Sequence, residues 1–265
     1  MAAAGSVDAF RQCTFVLGAE TDLLLDALNA ESELAEGVTG AKFRNQVVAS
    51  SLALWSRSWL TRLQALHAVE WGNYAAALPL VRAAADYQAA QLALLRASAQ
   101  EWNEWLDSGG LQLAPEQHAT EFRLHAFRSA ETMAAHEILG PVYRTATDLS
   151  LPHFGATLLV AGMESDPSRI AVTFGDRDFH IGWAELILTH LLLLAVAELE
   201  AVLEFDTVFG IASAEAVRTR ITALRSAATR RDRCSIAITE IAGEQRYLIS
   251  NWRRNPGGAP VRILL

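Results

Sequence analysis

The chain has 265 residues, of which 51% are hydrophobic and 20% charged, and its formal net charge is −8. That is enough apolar material for the core of one large domain or two small ones, and it excludes a disordered, collagen-like or low-complexity chain. Its two cysteines, Cys13 and Cys234, lie far apart, which excludes a disulfide framework and a zinc-binding spacing and points to a reducing, cytoplasmic setting.

The predicted elements begin with a helix over 7–34, with Phe10, Leu17, Leu24, Leu25 and Leu28 at helical intervals, broken by Gly37, Thr39 and Gly40. A second helix runs from Gln46 to Val69. Its stripe of Val48, Leu52, Trp55, Trp59, Leu63 and Leu66 keeps one face turned inward, and Gly72-Asn73 makes the corner. A third is expected from near Asn73 to Leu106, with Pro79 tolerated in its first turns, and a fourth from Pro115 to Leu139, interrupted by Gly140-Pro141 and followed by a short helix over 142–148. The period then changes. The runs 156–163 and 170–174 are β-prone and joined by the turn-forming 164–168, which predicts a small internal β hairpin within 156–175. A long apolar helix over 179–205 follows. It could be mistaken for a membrane span, but Glu185, His190, Glu198 and Glu200 favour the core of a soluble bundle and no membrane association. Ser213 caps a further helix to about Thr229. Residues 234–241 and 246–252 read as a C-terminal β hairpin, with a short strand over 261–265.

The expected fold is mainly α: a bundle of six or seven helices with two small β additions. Its division is a helical domain over 1–212 and a basic extension, helix plus hairpin, over 213–265. From Ala216 onward ten arginines face three acids, so this end carries +7 and the rest of the chain −15. Arg230, Arg231, Arg233, Arg253 and Arg254 flank the hairpin and are the candidate contacts to RNA or to an acidic protein. The alternative is that they pair with the acidic body of the same chain.

Two stretches carry a resemblance. In 54–95, Gly72, an Ala-rich entry at 75–77, Arg82 and Asp86 follow one another; in 143–155 come Tyr143, Arg144, Ser150 and His153. Together they resemble a bacterial helical family of unknown function placed near the HEPN (higher eukaryotes and prokaryotes nucleotide-binding) superfamily, with Asp where that family usually has Glu. The resemblance implies a helical bundle acting as a homodimer, in stress or phage-defence biology, with Arg82, Asp86, Tyr143, Arg144, Ser150 and His153 as the candidate catalytic set in one polar cleft. HEPN ribonucleases carry Arg, four to six residues, then His. Here eight residues separate Arg144 from His153, and Arg62 to His67, which fits the spacing, lies mid-helix with diverging side chains.

His118, Glu121 and His125 share a helix face, but histidines seven apart are about 10.5 Å apart along the axis, too far for one ion. No Gly-rich phosphate loop, nucleophile elbow or Cys–His pair occurs, so neither cofactor nor metal is expected. His153 follows Pro152 in a loop, where an imidazole can serve as acid or base near neutral pH. Trp55, Trp59 and Trp71 are read as dimer-interface anchors. Three functions follow: a dimeric HEPN-like module with little or no catalysis, a metal-independent ribonuclease using His153 with Arg82 or Arg144, and an interaction protein binding an acidic partner through its basic end.

Overall fold

A computed structural model describes residues 6–38, 45–107, 129–162 and 168–265 of the chain. Helix α1 (Val7–Gly37) starts where the Ser6 hydroxyl accepts the Ala9 N–H at 3.2 Å, and it kinks at Leu17, beside Gly18. Helix α2 (Gln46–Glu70) is capped by Asn45, whose side chain accepts from Val47 and Val48. The stripe read in the sequence is its inward face, with Val48, Trp55 and Leu66 buried. Gly72, at φ +72°, turns the chain into α3 (Tyr74–Leu95), which packs back along α2.

The expected third helix stops early. A capping box opens α4 (Ala99–Asp107): the Ser98 hydroxyl accepts the Glu101 N–H at 3.3 Å, and the Glu101 carboxylate accepts the Ser98 N–H at 2.7 Å. The expected start of the fourth helix at Pro115, like His118, Glu121 and His125, lies outside the described residues. Helix α5 (Ser129–Ala135) ends at His136, whose Nδ1 accepts the N–H groups of Ile138 and Leu139 and so heads α6 (Leu139–Ser150). Pro141 sits in the first turn of α6 rather than breaking a helix.

The internal β hairpin is not formed. Phe154–Ala161 is a helix, α7, entered from Pro152-His153, and 170–174 forms no strand. An eight-residue apolar run has no periodicity that separates a strand from a buried helical turn, and here an Ala- and Leu-rich segment just after a proline takes the helical course. The Thr173 N–H donates to the Ala161 carbonyl at 2.8 Å, closing the end of α7; residues 164–167 of the expected turn lie outside the described residues.

Helix α8 (Ile181–Glu204) is the axis of the molecule, and α1, α2, α3, α6 and α10 pack on it. It is the one described helix long and apolar enough to cross a membrane, and most of its apolar window is buried by the surrounding helices. A single turn, α9 (Asp206–Phe209), leads to α10 (Ala214–Ala228), capped by Ser213 as expected and packed on α8 through Val217, Ile221 and Leu224. The chain closes with β1 (Ser235–Ile241), β2 (Glu244–Trp252) and β3 (Val261–Leu264), an antiparallel sheet in the order β1-β2-β3. Ala242 and Gly243 both take positive φ in the two-residue turn, the backbone that matches the twist of a tight hairpin.

This sheet is seated on the head of α8. The first N–H groups of that helix, from Ile181 and Gly182, donate to the carbonyls of Arg254 and Arg253 at 3.1 and 3.0 Å, and the next, from Trp183, donates to His180 Nδ1. Three of the four donors that a helix start leaves open are thereby satisfied, two of them by the chain's last fifteen residues. Trp252 lies against Gly182, where any Cβ would stand 2.9 Å from the indole, and meets Trp183 edge-on at 5.1 Å.

Candidate functional site

The residues carried by the resemblance meet at the packing of α3 against α6. The Arg82 guanidinium stands over the Tyr143 ring, 5.4 Å from its centroid, and donates to the Tyr143 hydroxyl at 3.4 Å. Asp86 lies one turn further along α3. Burial pushes its carboxyl up to about 6, against the pull of Arg82. Tyr143 and Arg144 form one wall of a groove of about 680 Å³ between α5–α6 and the hairpin, whose opposite wall is Ile236, Ile238 and Tyr247. Around its rim Tyr247 donates to Asp148 at 2.5 Å, and Arg144 reaches Asp148 and Gln245.

Ser150 and His153 stand differently. Ser150 is seven residues beyond Tyr143, about 10 Å along the helix axis, and its hydroxyl donates to the Ala146 and Thr147 carbonyls, so it serves its own helix end. His153 is exposed at the head of α7, where its side chain makes no capping bond. The structure thus brings Arg82 and Asp86 to Tyr143, which with Arg144 lines the groove; Ser150 is the last residue of α6 and His153 lies beyond it.

The basic end is held down by carboxylates. Glu20 receives Arg230 and Arg233, and Glu185 receives Arg233, Arg253 and the Cys234 N–H. Arg254 reaches Asp176 and Asp178. Arg231 is exposed, and its carbonyl accepts from Asn251. Burial raises the Glu185 carboxyl, and the Cys234 N–H and Arg253 oppose that rise. Cys13 and Cys234 are free and buried, and burial pushes both thiols up to about 12, which keeps them protonated.

A second polar cluster, which the sequence reading missed, lies inside the bundle. Arg62 is fully buried and forms a bidentate pair with Glu31 at 2.8 and 2.5 Å, while Trp55 Nε1 donates to the same carboxylate at 2.8 Å. Glu198 on α8 accepts from Gln91 at 2.8 Å. Burial, with the Glu31 charge adding to it, raises Glu198 to about 8, which favours its protonated form. Protonation supplies a donor to a cluster in which Gln88 Oε1 and Gln91 Oε1 otherwise lack one. The available signal was a set of polar residues on inward faces: Glu31, Arg62 and Glu198 all fall on the stripes that bury their helices. His67, the other half of the Arg62 spacing match, is exposed, so the two side chains diverge as helix geometry requires.

The three tryptophans read as interface anchors all stand against α1. Trp71 stacks on Phe10 at 5.2 Å, and Trp55 and Trp59 face α1 at a cavity of about 350 Å³. Among the described residues no group of His, Cys, Asp and Glu could hold a metal ion. No family model matches the chain, and neither a curated protein nor a solved structure matches it.

Proposed function

We propose that the protein is a HEPN-like helical module with little or no catalysis, that it works as a homodimer, and that the groove between α5–α6 and β1 is its engagement surface. The observation that carries this reading is the free side of β1. Among the described residues it pairs only with β2, it borders an apolar groove, and its Ile238 and Ile241 are 45% and 42% exposed. An open, apolar strand edge is a template for another strand. Support for a non-catalytic role comes from the hydroxyl of Ser150, engaged by its own helix, and from an Arg82 guanidinium lying against a tyrosine ring. The ribonuclease reading draws less support, since His153 stands beyond the helix that carries Tyr143 and Arg144. So does polyanion binding by the C-terminal arginines, most of which face carboxylates of their own chain.

Light scattering at tens of micromolar tests the proposal. The expected mass is twice 28.8 kDa, and Glu240→Pro, which removes a backbone N–H that the register turns to the free side of β1, is expected to give a folded monomer. A wild-type protein that is monomeric at every concentration overturns the dimer.

A further inference from the structure

The hairpin fixes which backbone groups β1 offers at its free edge. Ala242-Gly243 is a two-residue turn, so Ile241 and Glu244 are the hydrogen-bonded pair that closes it. Alternation from that pair turns the N–H and C=O groups of Thr239 and Ala237 toward β2, and those of Ile236, Ile238 and Glu240 away from it. The far side of β2 has the same phase: Tyr247, opposite Ile238, exchanges both its backbone bonds with Leu265, at 3.0 and 2.9 Å.

Residues 235–239 read Ser-Ile-Ala-Ile-Thr, a near-palindrome about Ala237. An antiparallel second copy centred there sets Ile236 against Ile238 on both sides of the axis, Ser235 against Thr239 outside them, and Ala237 against itself. Each isoleucine pair joins residues whose backbone groups face outward, so each pair exchanges both of its bonds. Directly opposed residues point to one face of a sheet. Ile236 and Ile238 line the groove, so the incoming isoleucines extend its apolar wall. Ala237 puts a small side chain where the two strands come closest. Other centres match less well. An axis at Ile238 or Thr239 sets an isoleucine against Glu240, and one at Ile236 sets Ile238 against Cys234, which is buried with its N–H on Glu185.

We propose that two copies of the chain pair through β1 about a two-fold axis at Ala237, joining the three strands of each into one sheet. This pairing rests on the reading of β1 as the dimer edge and adds its register.

The test is oxidative cross-linking of the full chain, read on a non-reducing gel beside light scattering of the same samples. Ala237→Cys places two thiols on the axis, with Cα atoms about 4.5 Å apart, within disulfide reach. It is expected to give at least about tenfold more covalent dimer than Thr239→Cys or the wild type, whose own cysteines are buried. Should Ala237→Cys fail to fold, an equimolar mixture of Ser235→Cys and Thr239→Cys, left to exchange subunits, carries the test. The mixture is expected to cross-link although neither variant does so alone. A dimer that cross-links through Thr239→Cys alone, or through neither Ala237→Cys nor the mixture, overturns the pairing and leaves the dimer reading standing. A monomer by light scattering overturns both.

Discussion

Gly72 shows how one residue sets the course of the chain. At φ +72° it occupies a backbone region that side chains disfavour, and a Cβ there would lie 2.3 Å from the Arg177 carbonyl oxygen. Two independent penalties therefore fall on the same atom: backbone strain, and a clash with backbone that no rotamer change relieves. The corner it makes sets α3 against α2 and so positions Arg82 for Tyr143. Gly72→Ala is expected to destabilise the fold by about 2–4 kcal/mol. Urea unfolding followed by circular dichroism measures this, and a loss below about 0.5 kcal/mol would mean that the corner relaxes freely.

At the scale of elements, the sheet and α8 are mutually dependent. The carbonyls of Arg253 and Arg254 cap the helix, Trp252 covers Gly182, and the side chains of the same two arginines reach Glu185, Asp178 and Asp176. The double variant Arg253→Ala/Arg254→Ala keeps the capping carbonyls and removes the charges that face Glu185 and the aspartates. Because Arg233 and the Cys234 N–H still hold Glu185, the expected cost is about 1–3 kcal/mol rather than the full loss from a stranded buried charge. Thermal unfolding at low and at high salt checks it. The difference between wild type and variant should persist at high salt, because the Glu185 side chain is 1% exposed and poorly screened. These elements also show what the sequence made legible. The helical stripes, the Ser213 cap and the hairpin over 234–252 were readable because each depends on local periodicity or turn chemistry. The α7 helix was not, since its eight residues, apolar but for Thr157, show no helical period. The break before α4 had a readable signal, the Ser98-x-x-Glu101 capping box, hidden by an apolar stripe that runs on past it. Of the site, the order of the two familiar stretches led to an expected convergence of Arg82 with His153, whereas the residue of the second stretch that meets Arg82 is Tyr143. The Glu31–Arg62–Glu198 cluster depends on three helices meeting, with partners separated by 31 and about a hundred residues, and no local pattern encodes such a meeting.

For the whole molecule, buried ionisable groups of opposite kinds set the dependence of stability on pH. His180 and His190 are both lowered to about 4 by burial, His180 with help from Arg254. Unfolded, each takes up a proton near pH 6.5, while folded it does not until about 4. The stability they contribute is present above 6.5 and lost as the pH falls through that window. Glu198 acts in the opposite sense. Its folded pKa, about 8, lies above the ordinary 4.5, so the unfolded chain releases the proton first and stability is lost as the pH rises from 4.5 to 8. Asp86, raised to about 6, acts as Glu198 does over the lower part of that range. Between pH 4.5 and 6 these two histidines and two carboxyls nearly cancel. Above 6.5, Glu198 acts without the histidines to oppose it. Stability is therefore expected to be flat in mild acid, highest near pH 6.5, and to fall toward pH 8 with a slope of up to about 1.4 kcal/mol per pH unit. Glu198→Gln, which keeps the shape and can still accept from Gln91, removes the alkaline decline and uncovers the histidine slope. The variant should gain stability from pH 4.5 to 6.5 and hold it to pH 8, where it exceeds wild type by a few kcal/mol. Urea midpoints measured at half-unit pH intervals on both proteins decide the matter: parallel curves from pH 6.5 to 8 would mean that Glu198 is already ionised in the folded core and held there by Arg62.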